Sequence, residues 1–349
     1  MLSLHDFAKK WEFDPAPLDP VAARYPFRLN PYFEGLIQSR GDAIWNQVVP
    51  DAGELSDQSG FEDPLSEERL SPAPNLVHRY PNRVLWLVND RCALHCRFCT
   101  RKRRWTGRPA PEGPSDLKPA LDYIAAREQI VDVLLSGGDP LLLAEERLHQ
   151  ILSKLREIKH LQIIRIGSRV PCALPGAVTP RLAAMLSSFH PLYLNIHFNH
   201  PLEITAESAR ACSILANAGI PLGSQTVLLR GVNDSETILA ELFHKLLSIR
   251  VRPYYLMQMD LTAGTAHFRT PVSTGLRVLR LLRNRISGPA MPHFVIDLPG
   301  GRGKIPLLPN MIREINDKEM IVENYTGEFC LYPLLEGEKD ALKAEMAER

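Results

Sequence analysis

The sequence predicts an α/β protein in which six or seven βα units run in series and curl a parallel sheet into a barrel or part of one. Short β-type runs occur at 84–88, 131–135, 163–166, 192–198, 225–229 and 253–257. After the first pair, successive runs begin roughly 30 residues apart, the length of one βα unit. The stretches between them read as amphipathic helices.

Taken in order, residues 1 to about 75 are rich in Pro, Asp and Glu with short apolar patches such as Tyr32 to Ile37, and read as a helical and loop-like extension. From residue 84 the pattern is regular. In 144–158, Leu148, Ile151, Leu152, Leu155 and Ile158 recur at helical spacing while Glu, Arg and Lys take the other face. The helix expected over 203–218 stops at Gly219, with Pro221 following. A last helix, about 273–286, precedes a seventh apolar run at 294–296. In such folds chemistry gathers at the C-terminal ends of the strands.

The 349 residues are 45% hydrophobic and 23% charged, enough for a buried core. Lys+Arg at 41 against Asp+Glu at 40 gives a formal charge of +1, so no global field draws nucleic acid or an anionic membrane. No apolar run of about 18 residues is present. The N-terminus lacks a basic segment followed by an apolar core. A cytoplasmic protein with no nucleic-acid and no membrane partner is expected.

Of six cysteines, Cys172, Cys212 and Cys330 are scattered and read as small core residues or inert thiols. Cys92, Cys96 and Cys99 instead follow the first strand within eight residues. Three thiolates on one loop can converge on one metal centre. A closed structural zinc needs four ligands and usually draws them as two pairs; His95 is the one nearby fourth donor. An iron–sulfur cluster held by three thiolates leaves one iron open for an outside ligand.

The spacing Cys92-x3-Cys96-x2-Cys99, with Phe98 before the last cysteine, resembles the signature of the radical S-adenosylmethionine (SAM) superfamily. The resemblance implies a partial (β/α)6 barrel and a [4Fe–4S] cluster whose open iron binds the amino and carboxylate groups of SAM. One βα unit later, Ser136-Gly137-Gly138-Asp139 resembles the superfamily's glycine-rich segment that receives the SAM amino group. Glycines there admit close backbone approach to a ligand; taken alone they would mark only a turn.

Near the end, 294–306 carries Lys304 on a glycine-rich loop. It fails the Walker pattern, with Leu298 at the first glycine position and Ile305 in place of Ser/Thr. A lysine there suits a Schiff base with pyridoxal 5′-phosphate (PLP), or else is a solvated loop lysine. The segments 78–83, 99–103, 165–169, 197–201, 225–234 and 252–255 resemble the lysine 2,3-aminomutase family in order and spacing, from about 78 to about 310.

That resemblance implies an isomerase, an intramolecular aminotransferase, whose Lys304 holds PLP and whose Arg79 and Arg83 bind the phosphate. Arg101 would pair with the substrate α-carboxylate, which a guanidinium fork suits. His197 and Gln225 would line the SAM site. Asp260 and Asp297 would hold a distal ammonium, a pair that repels itself unless a cation intervenes. The substrate implied is L-lysine and the product β-lysine. Arginine shares the distal cation; glutamate would want basic or amide residues there. Supply of β-lysine for elongation-factor modification would use the same site.

The resemblance further implies an electron donor such as flavodoxin or ferredoxin, a homo-oligomer, and a division into 1–77 (extension), 78–290 (SAM core) and 291–349 (segment with the PLP lysine). There are departures. Met257 stands where long members carry a tyrosine; Cys330 is alone and Ser235 replaces its partner cysteine, so no intersubunit zinc is expected. Bland alternatives are helix caps for Asp260 and Asp297 and core histidines for His197 and His200. For Arg101 to Arg104 the alternative is a basic patch on an RNA-contacting, zinc-binding module.

Overall fold

The computed structural model describes residues 2–57, 59–105, 116–324 and 326–347. Its main sheet opens with β1 (Leu76–Tyr80), antiparallel to β2 (Arg83–Asn89). From β2 the sheet runs parallel in chain order through β3 (Asp132–Gly137), β4 (Ile163–Ser168), β5 (Leu192–Ile196), β6 (Leu222–Leu228), β7 (Arg252–Gln258) and β8 (His293–Asp297). The short β9 (Lys304–Pro306) then returns antiparallel along β8.

Strands follow one another in space as they do in sequence, the arrangement that right-handed βα crossovers produce. β1 and β9 end the sheet rather than pair, so the barrel is partial. The parallel strands number seven among the described residues. Strand β1 and strand β9 lie outside the apolar runs legible in the sequence.

Helices pack outside the sheet through the faces their periodicity predicts. Glu145–Arg156 buries Leu148, Ile151, Leu152 and Leu155 against the strands. The helix expected over 203–218 divides: a 3-10 turn, Pro201–Glu203, precedes the α-helix Ala206–Asn217, because Thr205 caps the latter through the Ser208 N–H. Gly219 then takes a left-handed φ of 79°. The helix expected over 273–286 is Val272–Leu282, shorter than its pattern.

Residues 2–57 form five short helices that join the same core. Phe7 packs on Trp11, Phe13, Phe27 and Trp45 with ring centroids 5.2–6.1 Å apart. Beyond β9, a second antiparallel sheet of β10 (Ile312–Ile315), β11 (Glu319–Glu323) and β12 (Phe329–Pro333) precedes the helix Glu338–Ala347. Ser235, at the position of the missing cysteine, caps the helix Glu236–Ser248.

Candidate active site

A cavity of about 930 Å³ occupies the interior of the partial barrel. The structure brings the cysteines, the glycine-rich segment and the residues assigned to SAM, PLP and substrate by resemblance to its wall. Cys92, Cys96 and Cys99 lie on the loop after β2; Ser136, Gly137, Gly138 and Asp139 follow at the end of β3; His197 lies just past β5 and Gln225 on β6. Arg79, Arg83, Arg101, Asp260, Asp297 and Lys304 complete the lining.

Burial raises the thiol pKa of all three cysteines; neighbouring thiols add to it at Cys92 and Cys99, Arg169 opposes it at Cys96, and Cys99 is pushed up to about 11. Buried thiols need positive charge to become ligands. Arg169 supplies some, its Nη1 standing 2.7 Å from Cys96 Sγ, while the Arg101 backbone N–H donates to Cys99 Sγ at 3.4 Å. Among the described residues no three acidic, His or Cys side chains gather tightly enough for one ion. His95 is turned away: its Nδ1 meets the Pro26 carbonyl at 2.7 Å and its ring stacks on Trp105.

The glycines have a packing role that the sequence reading did not foresee. A Cβ on Gly137 would lie 2.1 Å from the Asn89 carbonyl oxygen, and one on Gly138 would lie 2.3 Å from that of Arg91. Glycine therefore lets the β3 loop lie directly on the start of the cysteine loop. Asp139 is likewise committed to protein donors. Its carboxylate accepts from Ser168 Oγ, from the Arg169 and Val170 N–H groups and from Leu141 N–H, at 2.7–3.1 Å. Its side chain ties the β3 loop to the β4 loop. Burial raises its pKa to about 6 against those hydrogen bonds.

At the other end of the cavity stands a charged group. Arg79 Nη1 donates to Asp297 Oδ1 at 2.7 Å, and the Lys304 ammonium pairs with the other Asp297 oxygen. Lys304 Nζ also lies 3.7 Å from Met257 Sδ, and its backbone N–H donates to Tyr80 Oη at 2.9 Å. Asp260 faces the same group without a side-chain hydrogen bond or ion pair of its own among the described residues. Burial, then the Asp297 charge, raises its pKa to about 7. Neither aspartate is a helix cap; they lie beyond β7 and at the end of β8.

Arg83 sits over the Tyr80 ring, 3.9 Å from its centroid. The Tyr254 and Tyr255 rings lie tilted against each other with centroids 3.9 Å apart. Asn195 Nδ2 is buried at the cavity wall with no hydrogen-bond partner, a donor that a bound polar ligand would satisfy. His197 Nε2 meets Asn199 Oδ1 at 2.9 Å, and burial together with Arg169 lowers its pKa to about 3, so it is neutral. His200 receives the Leu202 N–H and serves the chain turn.

The basic run after Cys99 is not a displayed surface. Arg101 pairs with Glu67, Lys102 with Glu54, Arg103 with Asp63, Glu67 and Glu68, and Arg104 with Asp90. Glu54 also holds Arg97 through both oxygens, wholly buried. Burial would raise the Glu67 carboxyl, but Arg101 and Arg103 outweigh it and hold it at about 2. All of these acids except Asp90 come from the extension. Glu67, Glu54 and Arg169 are the principal additions that the structure makes.

A partial parallel barrel with three cysteines on the loop after its first parallel strand defines a radical SAM enzyme. Residues 86–243 match the model of the Radical SAM superfamily, and 279–347 match that of Lysine-2,3-aminomutase. An L-lysine 2,3-aminomutase of Clostridium subterminale is 49% identical over 308 residues, 87% of this chain and 74% of that one. One of Fusobacterium nucleatum is 47% identical, covering 87% and 72%. A glutamate 2,3-aminomutase of Clostridioides difficile is 39% identical over 88% and 73%. The chain belongs to the lysine 2,3-aminomutase family. It is an isomerase whose cofactors are a [4Fe–4S] cluster, SAM and PLP, acting on an amino acid.

Proposed function

We propose that the protein is a 2,3-aminomutase for L-lysine, moving the α-amino group to Cβ to give β-lysine. The observation that carries this reading is the pair Asp260 and Asp297 at the Lys304 end of the cavity. Bound in the cavity, the cluster and SAM would supply hydrogen-abstracting radical chemistry, and PLP would supply the conjugated carrier for the migrating amino group.

Cys92, Cys96 and Cys99 hold the cluster. Ser136, Gly137, Gly138, His197 and Gln225 line the SAM portion, and Asp139 fixes their loop. Lys304 bears PLP, with Arg79 and Arg83 for its phosphate. Arg101 takes the substrate α-carboxylate. With Lys304 committed to the cofactor and Arg79 to a phosphate, Asp297 loses the cations it now holds. A substrate ammonium placed between Asp297 and Asp260 restores the balance of charge. A glutamate side chain would bring a third carboxylate to that place. The names of the lysine-acting relatives at 47–49% identity, against 39% for the glutamate-acting one, support the same choice. The interior of the partial barrel positions the reacting atoms.

The test is anaerobic incubation of the reconstituted protein with SAM, PLP, a one-electron donor such as flavodoxin or ferredoxin, and lysine, arginine or glutamate in turn. Mass spectrometry and chromatography should find β-lysine alone. Formation of β-arginine or β-glutamate in its place would refute the reading.

A further inference from the structure

Arg101 does not face the cavity with its whole fork. Its Nε and Nη2 are taken by the Glu67 carboxylate, Nε at 3.0 Å from both oxygens and Nη2 at 2.6 Å from Oε1. Only Nη1 is directed elsewhere, 3.3 Å from Ser136 Oγ. Glu67 is 5% exposed, so its charge is not diluted by solvent. Its second oxygen also accepts from Arg103 Nη2 at 3.2 Å.

Glu67 is itself held from the far side of the site. The loop that leads into Lys304 grips the same turn: Gly300 N–H donates to the Pro64 carbonyl at 2.8 Å, and Arg69 Nη2 donates to the Gly300 carbonyl at 2.9 Å. A Cβ on Gly301 would lie 2.6 Å from the Leu65 carbonyl oxygen, so turn and loop touch without a gap. One short turn thus joins the loop of Lys304 to the guanidinium of Arg101.

We infer that Glu67 is a positioning residue: it aims Arg101 so that Nη1, beside Ser136 Oγ, is the nitrogen offered to the substrate α-carboxylate, at a distance from Lys304 set by the turn 64–70. This rests on the proposed role of Arg101. A guanidinium pinned along one edge by a carboxylate has lost its rotational freedom before substrate arrives, which lowers the entropy cost of binding. Glu67→Gln keeps the size of the side chain but removes the charge that pairs with Arg101 and Arg103, which frees the fork to turn.

The experiment uses the reconstituted holoenzyme and compares L-lysine with L-lysinamide, which keeps both amines and lacks the carboxylate. Glu67→Gln should raise KM for L-lysine about tenfold with kcat within about threefold, and should weaken the preference for acid over amide by a similar factor. SAM affinity and the electron paramagnetic resonance signal of the reduced cluster should not change. Glu67→Asp, which keeps the charge, should fall between wild type and Glu67→Gln, and it carries the test if Glu67→Gln does not accumulate as folded protein.

Arg101→Lys is the control for the underlying reading. If it abolishes the acid-over-amide preference while Glu67→Gln leaves that preference intact, the positioning role is overturned and the role of Arg101 stands. If Arg101→Lys leaves the preference intact, the role of Arg101 falls and the inference with it. A lower KM in Glu67→Gln would also overturn it, because Glu67 would then be competing with substrate.

Discussion

Asp260 and Asp297 line one end of the same cavity, yet only Asp297 is neutralised, by Arg79 at 2.7 Å and by the Lys304 ammonium. Asp260 holds a buried carboxyl with a pKa of about 7. The asymmetry marks Asp260 as the group whose charge state answers to what enters the cavity.

Replacing Asp260 should therefore separate stability from function. A carboxyl whose folded pKa of about 7 exceeds its unfolded 3.8 opposes folding wherever the unfolded chain ionises more readily. That penalty begins above pH 4 and is complete above about pH 7. Asp260→Asn should raise the thermal midpoint of the substrate-free protein at pH 8, with the gain shrinking towards pH 4. The same variant should lose lysine turnover at least a hundredfold, the scale of removing a buried ion-pair partner. Differential scanning fluorimetry and product analysis check the two halves.

Substrate affinity should carry the same signature. An ammonium group binds the Asp260 carboxylate, not the carboxylic acid, so the proton must leave first. KM for L-lysine should rise as pH falls from 8 to 6, because burial and the Asp297 charge favour the protonated carboxyl. L-Norleucine, which lacks the distal ammonium, should bind as an inhibitor with no such dependence. Parallel pH profiles for the two ligands would place the titration elsewhere.

Glu54 neutralises two buried cations, Arg97 and Lys102, on the cysteine loop. Burial lowers the Lys102 pKa to about 8 despite that partner. Glu54→Gln should cost about 3–5 kcal/mol of stability, the scale for a buried charge left without its counter-ion. Urea unfolding should show the loss as a lower midpoint. The iron content after reconstitution should fall with it, since the cysteine loop loses its anchor.

Gly138→Ala tests the contact between the two loops. Its Cβ would meet the Arg91 carbonyl oxygen at 2.3 Å, and a backbone atom cannot swing aside. Iron loading and SAM binding, measured by iron assay and equilibrium dialysis, should both drop severalfold. Gly176→Ala, where a Cβ would meet no atom within 4 Å, should leave both unchanged.

What could be read from the sequence was chemistry written in short spacings. Cys92, Cys96 and Cys99 announce themselves within eight positions, and Lys304 stands on a loop of unusual composition. Glu67 gives no such signal. It is one acid among several in a Pro- and Glu-rich stretch, and its role arises only when Arg101, 34 positions on, folds over it. Arg169 meets Cys96 across 73 positions. Gly137 and Gly138 could be marked, but the backbone they accommodate could not, because it belongs to the preceding strand's loop. The sheet β10–β12 escaped for a different reason: its alternation is brief, interrupted by Glu314, Glu319 and Glu323, and its edge strand lies exposed.

The sheet ends at β1 and β9, and the charged end of the cavity spans that opening. Arg79 reaches Asp297 across 218 positions, and Tyr80 reaches Lys304 across 224. A chain emerging from the ribosome thus exposes Cys92, Cys96 and Cys99 early, while Lys304 is made some two hundred residues later. The cysteine end of the barrel can begin to assemble while its wall is incomplete. The Lys304 end cannot exist until both edges have met. Assembly of this enzyme therefore runs in a fixed order, with the capacity to recognise an amino acid acquired last.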